Sequence, residues 1–208
     1  MRRKRPGRQS HRSLKRVEWT VTGGFWILLG VLLLSLSGKV FIVFCLACFV
    51  HELGHAGAIR LLGSRVAEVQ LTGMGIVLRP EGRLTSYLLD GCAALAGPAA
   101  SFALALAAGL WGRRFGGGEA YVLAGLSLAL AVFNLLPAGP LDGGRILEAA
   151  LSRWLGPDQG EAICRWLTLL MGGGLVILGL WSLSLGGSLT LPICAGWLLA
   201  HRFRHNLT

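Results

Sequence analysis

Residues 40–60 read VFIVFCLACFVHELGHAGAIR, an apolar run whose second half carries two histidines and a glutamate before it ends in an arginine. A stretch of about 20 apolar residues is the length that crosses a bilayer as a helix. Ionisable side chains inside the hydrocarbon core cost several kcal/mol unless they pair with one another or bind a metal. The stretch therefore predicts a membrane helix that carries a polar site.

The composition of the whole chain agrees with a membrane protein. Its 208 residues are 53% hydrophobic and only 14% charged, whereas soluble domains are about 25% charged. Mean hydropathy is +0.62. We predict an all-α polytopic membrane protein with about six transmembrane helices, whose apolar runs are residues 19–37, 40–59, 87–111, 120–137, 163–185 and 189–200.

A different pattern follows the second span. Residues 61–86 alternate weakly between apolar and polar, carry Gly73 and Gly75, and end with Pro80 and Gly82. This pattern is typical of strands joined by a turn. We predict a short membrane-associated β-hairpin here, with an exposed strand edge within residues 66–78.

The basic residues indicate orientation in a membrane. The formal charge is +10, and eight of the 20 Lys and Arg residues lie within residues 1–16, ahead of the first span. A cytoplasmic N-terminus puts all basic residues except Lys39, Arg113 and Arg114 on the inner side. We therefore predict a multi-pass protein of the cell membrane with both termini cytoplasmic, a retained first span, and no nucleic-acid partner.

The apolar runs and the basic residues together divide the chain into three predicted segments. Residues 1–18 are the predicted basic tail, residues 19–203 the six-helix transmembrane domain with its core at 40–151, and residues 204–208 the cytoplasmic C-terminal end.

The chemistry lies in the HELGH segment, residues 51–55. His51 and His55 are four residues apart, so both rings lie on one helix face, one turn apart, where they can ligate one ion. Glu52 is rotated by roughly 100° from His51 and can reach a water molecule beside that ion. This is the HExxH pattern of two ligands and a general base.

A catalytic zinc site needs a third protein ligand. Asp142 lies in NLLPAGPLDGGRIL, residues 134–147, where prolines and glycines break the fourth span on the same side as the histidines. It is the first candidate on topology. Asp90, near the start of the third span, is the second.

HELGH in one span and NLLPAGPLDGGR in a later one, with AGP at 96–98 between them, resemble the site-2 protease (M50) family of intramembrane zinc metalloproteases. The short six-span form is similar to the SpoIVFB group of sporulation sigma-factor processing peptidases, and we expect no CBS domain. The resemblance implies a Zn²⁺ cofactor with three ligands and one catalytic base, namely His51, His55 and Asp142, and Glu52.

The same resemblance implies residues near the substrate. Asn134, Pro137 and Pro140 are expected beside the bound peptide. The hairpin is expected to guide substrate as an added strand, which makes Gly73 and Gly75 substrate-binding candidates.

The expected function is an intramembrane zinc metalloendopeptidase that cuts a membrane-associated or single-span regulatory protein, such as a pro-sigma factor, near the cytoplasmic face. Its expected partners are that substrate, the lipid bilayer, and an inhibitory membrane partner or a second copy. A polytopic transporter is one alternative, although the two halves show no inverted repeat. A non-proteolytic binding protein with a structural metal site is another.

Overall fold

The computed structural model describes residues 17–73, 75–81, 86–139, 141–186 and 196. The basic tail, Pro140 and nearly all of the predicted sixth span lie outside these residues. The helices are α1 Gly23–Ser35, α2 Gly38–Leu61, α3 Tyr87–Phe115, α4 Gly118–Asn134, α5 Asp142–Leu155 and α6 Pro157–Ser184. The strands are β1 Glu18–Val21, β2 Val66–Thr72 and β3 Gly75–Pro80.

The helices have the lengths and composition of a membrane protein. Within the described residues, α2, α3 and α6 are long and apolar enough to cross a bilayer, and α1 and α4 are shorter apolar helices. The predicted fold class, a helical membrane protein with a hairpin after the HExxH helix, is confirmed. The number of spans stays a prediction, because the sixth lies outside the described residues.

Small residues fill the interior of the helix bundle and large apolar residues cover its surface, as in membrane proteins. The buried positions are held mainly by small side chains, which let helix backbones approach closely: Ala47, Ala93, Ala94, Ala108, Ala131 and Ser101. Large apolar side chains point outward, where lipid would surround them: Trp26, Leu34, Leu106, Trp111, Leu170 and Trp181.

Helix α3 is the centre of the bundle and packs against α2, α4 and α5. The two helices α2 and α3 approach closely at Gly54, where an added Cβ would lie 2.5 Å from the carbonyl oxygen of Ala96. Only glycine allows that distance. The result places the inner face of α3 directly against the turn of α2 that carries the histidines.

The hairpin belongs to a three-stranded sheet of order β1-β2-β3. Strand β1 pairs in parallel with β2, from Glu18 opposite Glu68 to Val21 opposite Leu71, and β2 pairs antiparallel with β3. The first predicted span therefore begins too early, because residues 18–21 form a strand and the helix starts at Gly23. Composition missed it, since Trp, Thr and Val suit both a strand and the end of a membrane helix.

This pairing corrects the predicted strand edge. Strand β2 is central, with both edges occupied, so residues 66–72 offer no free edge. Within the described sheet the free edges belong to β1 and β3.

Candidate metal centre

Two histidines and one aspartate meet in the interior. His51 and His55 lie on α2 with only 4% and 8% of their surfaces exposed, and Asp142, the first residue of α5, is 8% exposed. The two Nε2 atoms are 3.2 Å apart. The Oδ2 atom of Asp142 is 3.2 Å from Nε2 of His51 and 3.1 Å from Nε2 of His55. The three atoms form a nearly equilateral triangle.

The triangle fits a zinc ion. Ligand atoms placed about 2.0–2.1 Å from a tetrahedral zinc ion are about 3.3 Å from one another. The observed edges of 3.1–3.2 Å match this spacing closely. Two imidazoles and one carboxylate are also a donor set that zinc enzymes use, and three protein ligands leave one position open.

The protonation of His55 supports the same conclusion. Its Nδ1 lies 2.8 Å from the carbonyl oxygen of Ala93, and a carbonyl can only accept, so Nδ1 carries the proton. In the neutral ring the lone pair of Nε2 then points at the carboxylate oxygen of Asp142 and at the ring of His51. That nitrogen is then free to ligate a cation held together with the other two ligand atoms.

The outer nitrogens of both rings are held by α3. Besides the Ala93 contact, Nδ1 of His51 lies 3.0 Å from the hydroxyl of Ser101, which is fully buried. Such contacts fix ring orientation and direct Nε2 inward. Sequence reasoning did not find Ser101 or Ala93. The only signal was their nearness to the AGP segment at 96–98.

The turn before Asp142 explains the glycines that follow it. A Cβ on Gly143 would collide with the carbonyl of Leu135, and one on Gly144 would collide with the carbonyl of Ala138. Glycines in the first turn of α5 thus let the chain fold back on itself and bring Asp142 to the histidines.

Helix α6 secures this turn from the other side. The hydroxyl of Thr168 accepts a hydrogen bond from the backbone N–H of Gly139 at 2.9 Å and donates one to the carbonyl of Cys164 at 2.7 Å. Thr168 is completely buried. Sequence reasoning did not find it either, since it lies outside both motifs.

The candidate base lies beside the triangle. Glu52 is partly buried on α2 and lies within electrostatic range of His55, Asp142 and Arg145. Its role as a base stays a prediction.

The predicted substrate residues fall in two places. Asn134 ends α4, where its side-chain amide donates to the carbonyl of Leu130 at 3.0 Å, and Pro137 is half-buried in the following turn. Gly73 lies at the hairpin turn against Gly24, where an added Cβ would be 3.0 Å from the carbonyl oxygen of Gly24. Gly75 begins β3 with φ of 120°. Pro140 lies outside the described residues, and all five substrate roles stay predictions.

Asp90, the second candidate for a ligand, is not one of the three converging residues. Its carboxylate instead lies 3.6 Å from the guanidinium of Arg145.

The chain is similar to known zinc metalloproteases. Residues 119–175 match the model of Peptidase family M50. This segment contains Asp142 and begins after the HExxH helix, which it does not include. Over 161 residues, 74% of the chain, it is 36% identical to Rip3 of Mycobacterium tuberculosis, covering 39% of that protein. Over 127 residues, 56% of the chain, it is 33% identical to a zinc metalloprotease of Methanocaldococcus jannaschii, covering 35% of that protein.

The fold is also that of a solved structure. The site-2 protease from Methanocaldococcus jannaschii superimposes with a TM-score of 0.68 over 86% of each chain, at 24% identity. By contrast, the chain spans about two-fifths of the length of the curated relatives that it matches.

Two buried histidines and an aspartate thus meet between apolar helices, in a fold shared with a solved site-2 protease. The predicted resemblance to the site-2 protease (M50) family is confirmed, and the chain carries a Peptidase family M50 domain.

Proposed function

We propose that this protein is an intramembrane zinc metalloendopeptidase. The observation that carries the proposal is the triangle of two imidazole nitrogens and one carboxylate oxygen, buried between α2 and α5 with edges of 3.1–3.2 Å. In this proposal His51, His55 and Asp142 hold Zn²⁺, and Glu52 is the base.

The chemistry supplied by a bound zinc ion is Lewis acidity, which makes water more acidic and polarises a peptide carbonyl. Glu52 accepts a proton from the attacking water as the water oxygen bonds to the carbonyl carbon. It then delivers that proton to the leaving nitrogen as the C–N bond breaks. His51, His55 and Asp142 keep their places throughout, because α3 and α5 fix their orientation.

The substrate must be extended before it can be cut. A membrane helix hides its peptide carbonyls in internal hydrogen bonds, so the segment around the cleaved bond has to unwind. The free edge of β3 offers main-chain groups that an extended peptide can pair with. In this proposal Asn134, Pro137 and Pro140 line the path of the peptide, and Gly73 and Gly75 bind it from the hairpin.

The proposed substrate is a membrane-associated or single-span regulatory protein, of which a pro-sigma factor in sporulation is one candidate. The proposed topology is multi-pass in the cell membrane with both termini cytoplasmic. It rests on the excess of basic residues on that side. Cleavage then occurs near the cytoplasmic face, since the histidines lie toward the Arg60 end of α2.

The test uses the purified full chain, reconstituted in liposomes with a panel of single-span and pro-sigma substrates. We expect stoichiometric zinc, cleavage that a chelator abolishes, and recovery on adding zinc back. Glu52→Gln should retain zinc and lose cleavage by about 10²–10⁴-fold.

The control is Glu161→Gln, which changes an exposed glutamate on α6 and should cleave like the wild type. Cleavage by Glu52→Gln at the wild-type rate would refute the assignment of the base. A protein that holds no zinc would favour the transporter, and a protein that holds zinc but cuts no substrate would favour the non-proteolytic binding protein.

A further inference from the structure

An ion-pair chain links helix α3 to the Asp142 carboxylate. Nη2 of Arg145 lies 3.6 Å from Oδ1 of Asp90, and Nη1 lies 3.8 Å from Oδ1 of Asp142. Arg145 is one turn after Asp142 on α5, and Asp90 lies in the first turn of α3. The guanidinium therefore spans two carboxylates from two helices.

The two oxygens of Asp142 face different partners. Oδ2 is the atom within 3.1–3.2 Å of both histidines, whereas Oδ1 faces the guanidinium. A planar guanidinium presents several N–H groups in a fixed fork and can face two carboxylates at once. At 3.6 and 3.8 Å these contacts are ion pairs. The positive charge beside Oδ1 favours the orientation of Asp142 in which Oδ2 faces the histidines.

We propose that Arg145 is a positioning residue for the metal site and that Asp90 is its anchor. Arg145 engages Oδ1 of Asp142 and so presents Oδ2 to the ion as a single ligand atom, while Asp90 fixes the guanidinium from α3. The proposal rests on the proposed role of Asp142 as a zinc ligand.

The setting separates this ion pair from an ordinary surface pair. The side chain of Asp142 is only 10% exposed, so the Asp142 end of this ion-pair chain is shielded from water. The side chains of Arg145 and Asp90 are 43% and 53% exposed. The pair Arg165–Glu161 on α6 has nearly the same exposure, 45% and 53%, and a shorter distance of 3.0 Å. It lies within α6, and neither of the described ion pairs of Asp142 and Asp90 with Arg145 includes it, so it serves as the matched control.

The test measures zinc affinity of the purified full chain in detergent, by competition with a chromophoric chelator. Groups that orient a metal ligand change affinity by about 10–100-fold when they are removed. Since Arg145 is partly exposed, we expect Arg145→Gln at the lower end, about tenfold weaker. Asp90→Asn should weaken binding by a smaller factor.

Two further variants make the test specific. Arg145→Lys keeps the charge and loses the fork, so it should resemble Arg145→Gln rather than the wild type. The double variant Asp90→Asn/Arg145→Gln should bind zinc no more weakly than Arg145→Gln alone, because the anchor acts only through the arginine. Arg165→Gln should bind zinc like the wild type.

The outcomes distinguish failure of the proposed function from failure of the positioning role of Arg145. If the wild type holds no zinc, the proposed function itself fails. If the wild type binds zinc and cleaves while Arg145→Gln keeps the wild-type affinity, the positioning role is refuted. If Arg145→Gln keeps its zinc affinity but has a raised KM, Arg145 acts in substrate binding instead. If Arg165→Gln loses as much zinc affinity as Arg145→Gln, the loss reflects general surface charge and the positioning role is refuted.

Discussion

The two ends of helix α2 differ in how they are packed. At the end that carries His51 and His55, both histidine side chains are buried and each of their ring nitrogens has a contact within 3.2 Å. At the other end, Lys39 pairs with Glu119 at the start of α4 with side chains 83% and 61% exposed. A cavity of about 410 Å³ opens beside this pair, lined by Ser37, Val40, Val43, Gly118 and Val122 as well as the pair itself.

The two ends of α2 therefore differ in how strongly their side chains are fixed by packing and hydrogen bonds. The site end is fixed by backbone contacts, buried hydrogen bonds and glycines that a methyl group would displace. Among the described residues, the other end carries the exposed Lys39–Glu119 ion pair, and exposed pairs contribute little to stability. Substitutions at the site end should therefore have large effects on metal binding, and substitutions at the other end should have almost none.

Gly97→Ala should give the largest effect. An added Cβ would collide with the imidazole ring of His55, at the nitrogen proposed to bind the metal and at its two neighbouring carbons. The ring would have to move, and we expect at least a tenfold loss of zinc affinity with a matching loss of cleavage. Competition with a chelator and a cleavage assay measure the two losses.

The control is Gly125→Ala on α4, where an added Cβ meets nothing within 4 Å. It should bind zinc normally. Normal zinc affinity in Gly97→Ala would contradict the packing of α3 against α2 described above.

Thr168→Val should come next. It leaves the N–H of Gly139 without its acceptor in a buried turn, and an unsatisfied buried donor costs about 1–3 kcal/mol. We expect a lower Tm and a higher KM, since the loosened turn carries Pro137. Thr168→Ser keeps the hydroxyl and should recover most of the KM, even though it loses a methyl group. An equal rise of KM in both variants would assign the effect to packing.

Ser101→Ala should have a moderate effect. It removes the hydroxyl beside Nδ1 of His51, and we expect zinc affinity to fall by about tenfold with little change in Tm. Ser127 is equally buried on α4, and its hydroxyl has no hydrogen-bond partner among the described residues. Ser127→Ala is thus a matched control that should leave zinc affinity unchanged. Equal losses in both variants would point to general packing around the bundle.

The pattern of these effects explains what could be predicted from the sequence. The shared face of the histidine pair follows from the helical period. Topology puts both Asp142 and Asp90 on the side of the histidines, because an even number of crossings returns the chain to the same side, and the family resemblance favours Asp142. Ser101, Ala93 and Thr168 could not be predicted. Their contacts depend on the rotation and height of α3 and α6 relative to the site, which no local pattern encodes.

The strand β1 shows the same limit. Its four residues, Glu-Trp-Thr-Val, are all exposed. They alternate between polar and apolar, but four residues are too few to distinguish a strand from the start of an apolar helix. Strand β1 exists because the edge of β2 accepts its backbone, and β2 is some 50 residues further along the chain. Pairing over that distance is set by the fold, whereas apolar length, the property that reveals a membrane span, is local.

Lys39→Gln should have the smallest effect and most directly tests the comparison between the two ends of α2. Its ion pair with Glu119 is exposed, so removing the charge should leave zinc affinity, cleavage and Tm unchanged, at low salt and at high salt. Glu119→Gln removes the same pair from the other side and should behave identically. A loss of zinc affinity in either variant would mean that the outer end of α2 is coupled to the site through the length of the helix. The contrast in packing would then not be a contrast in function.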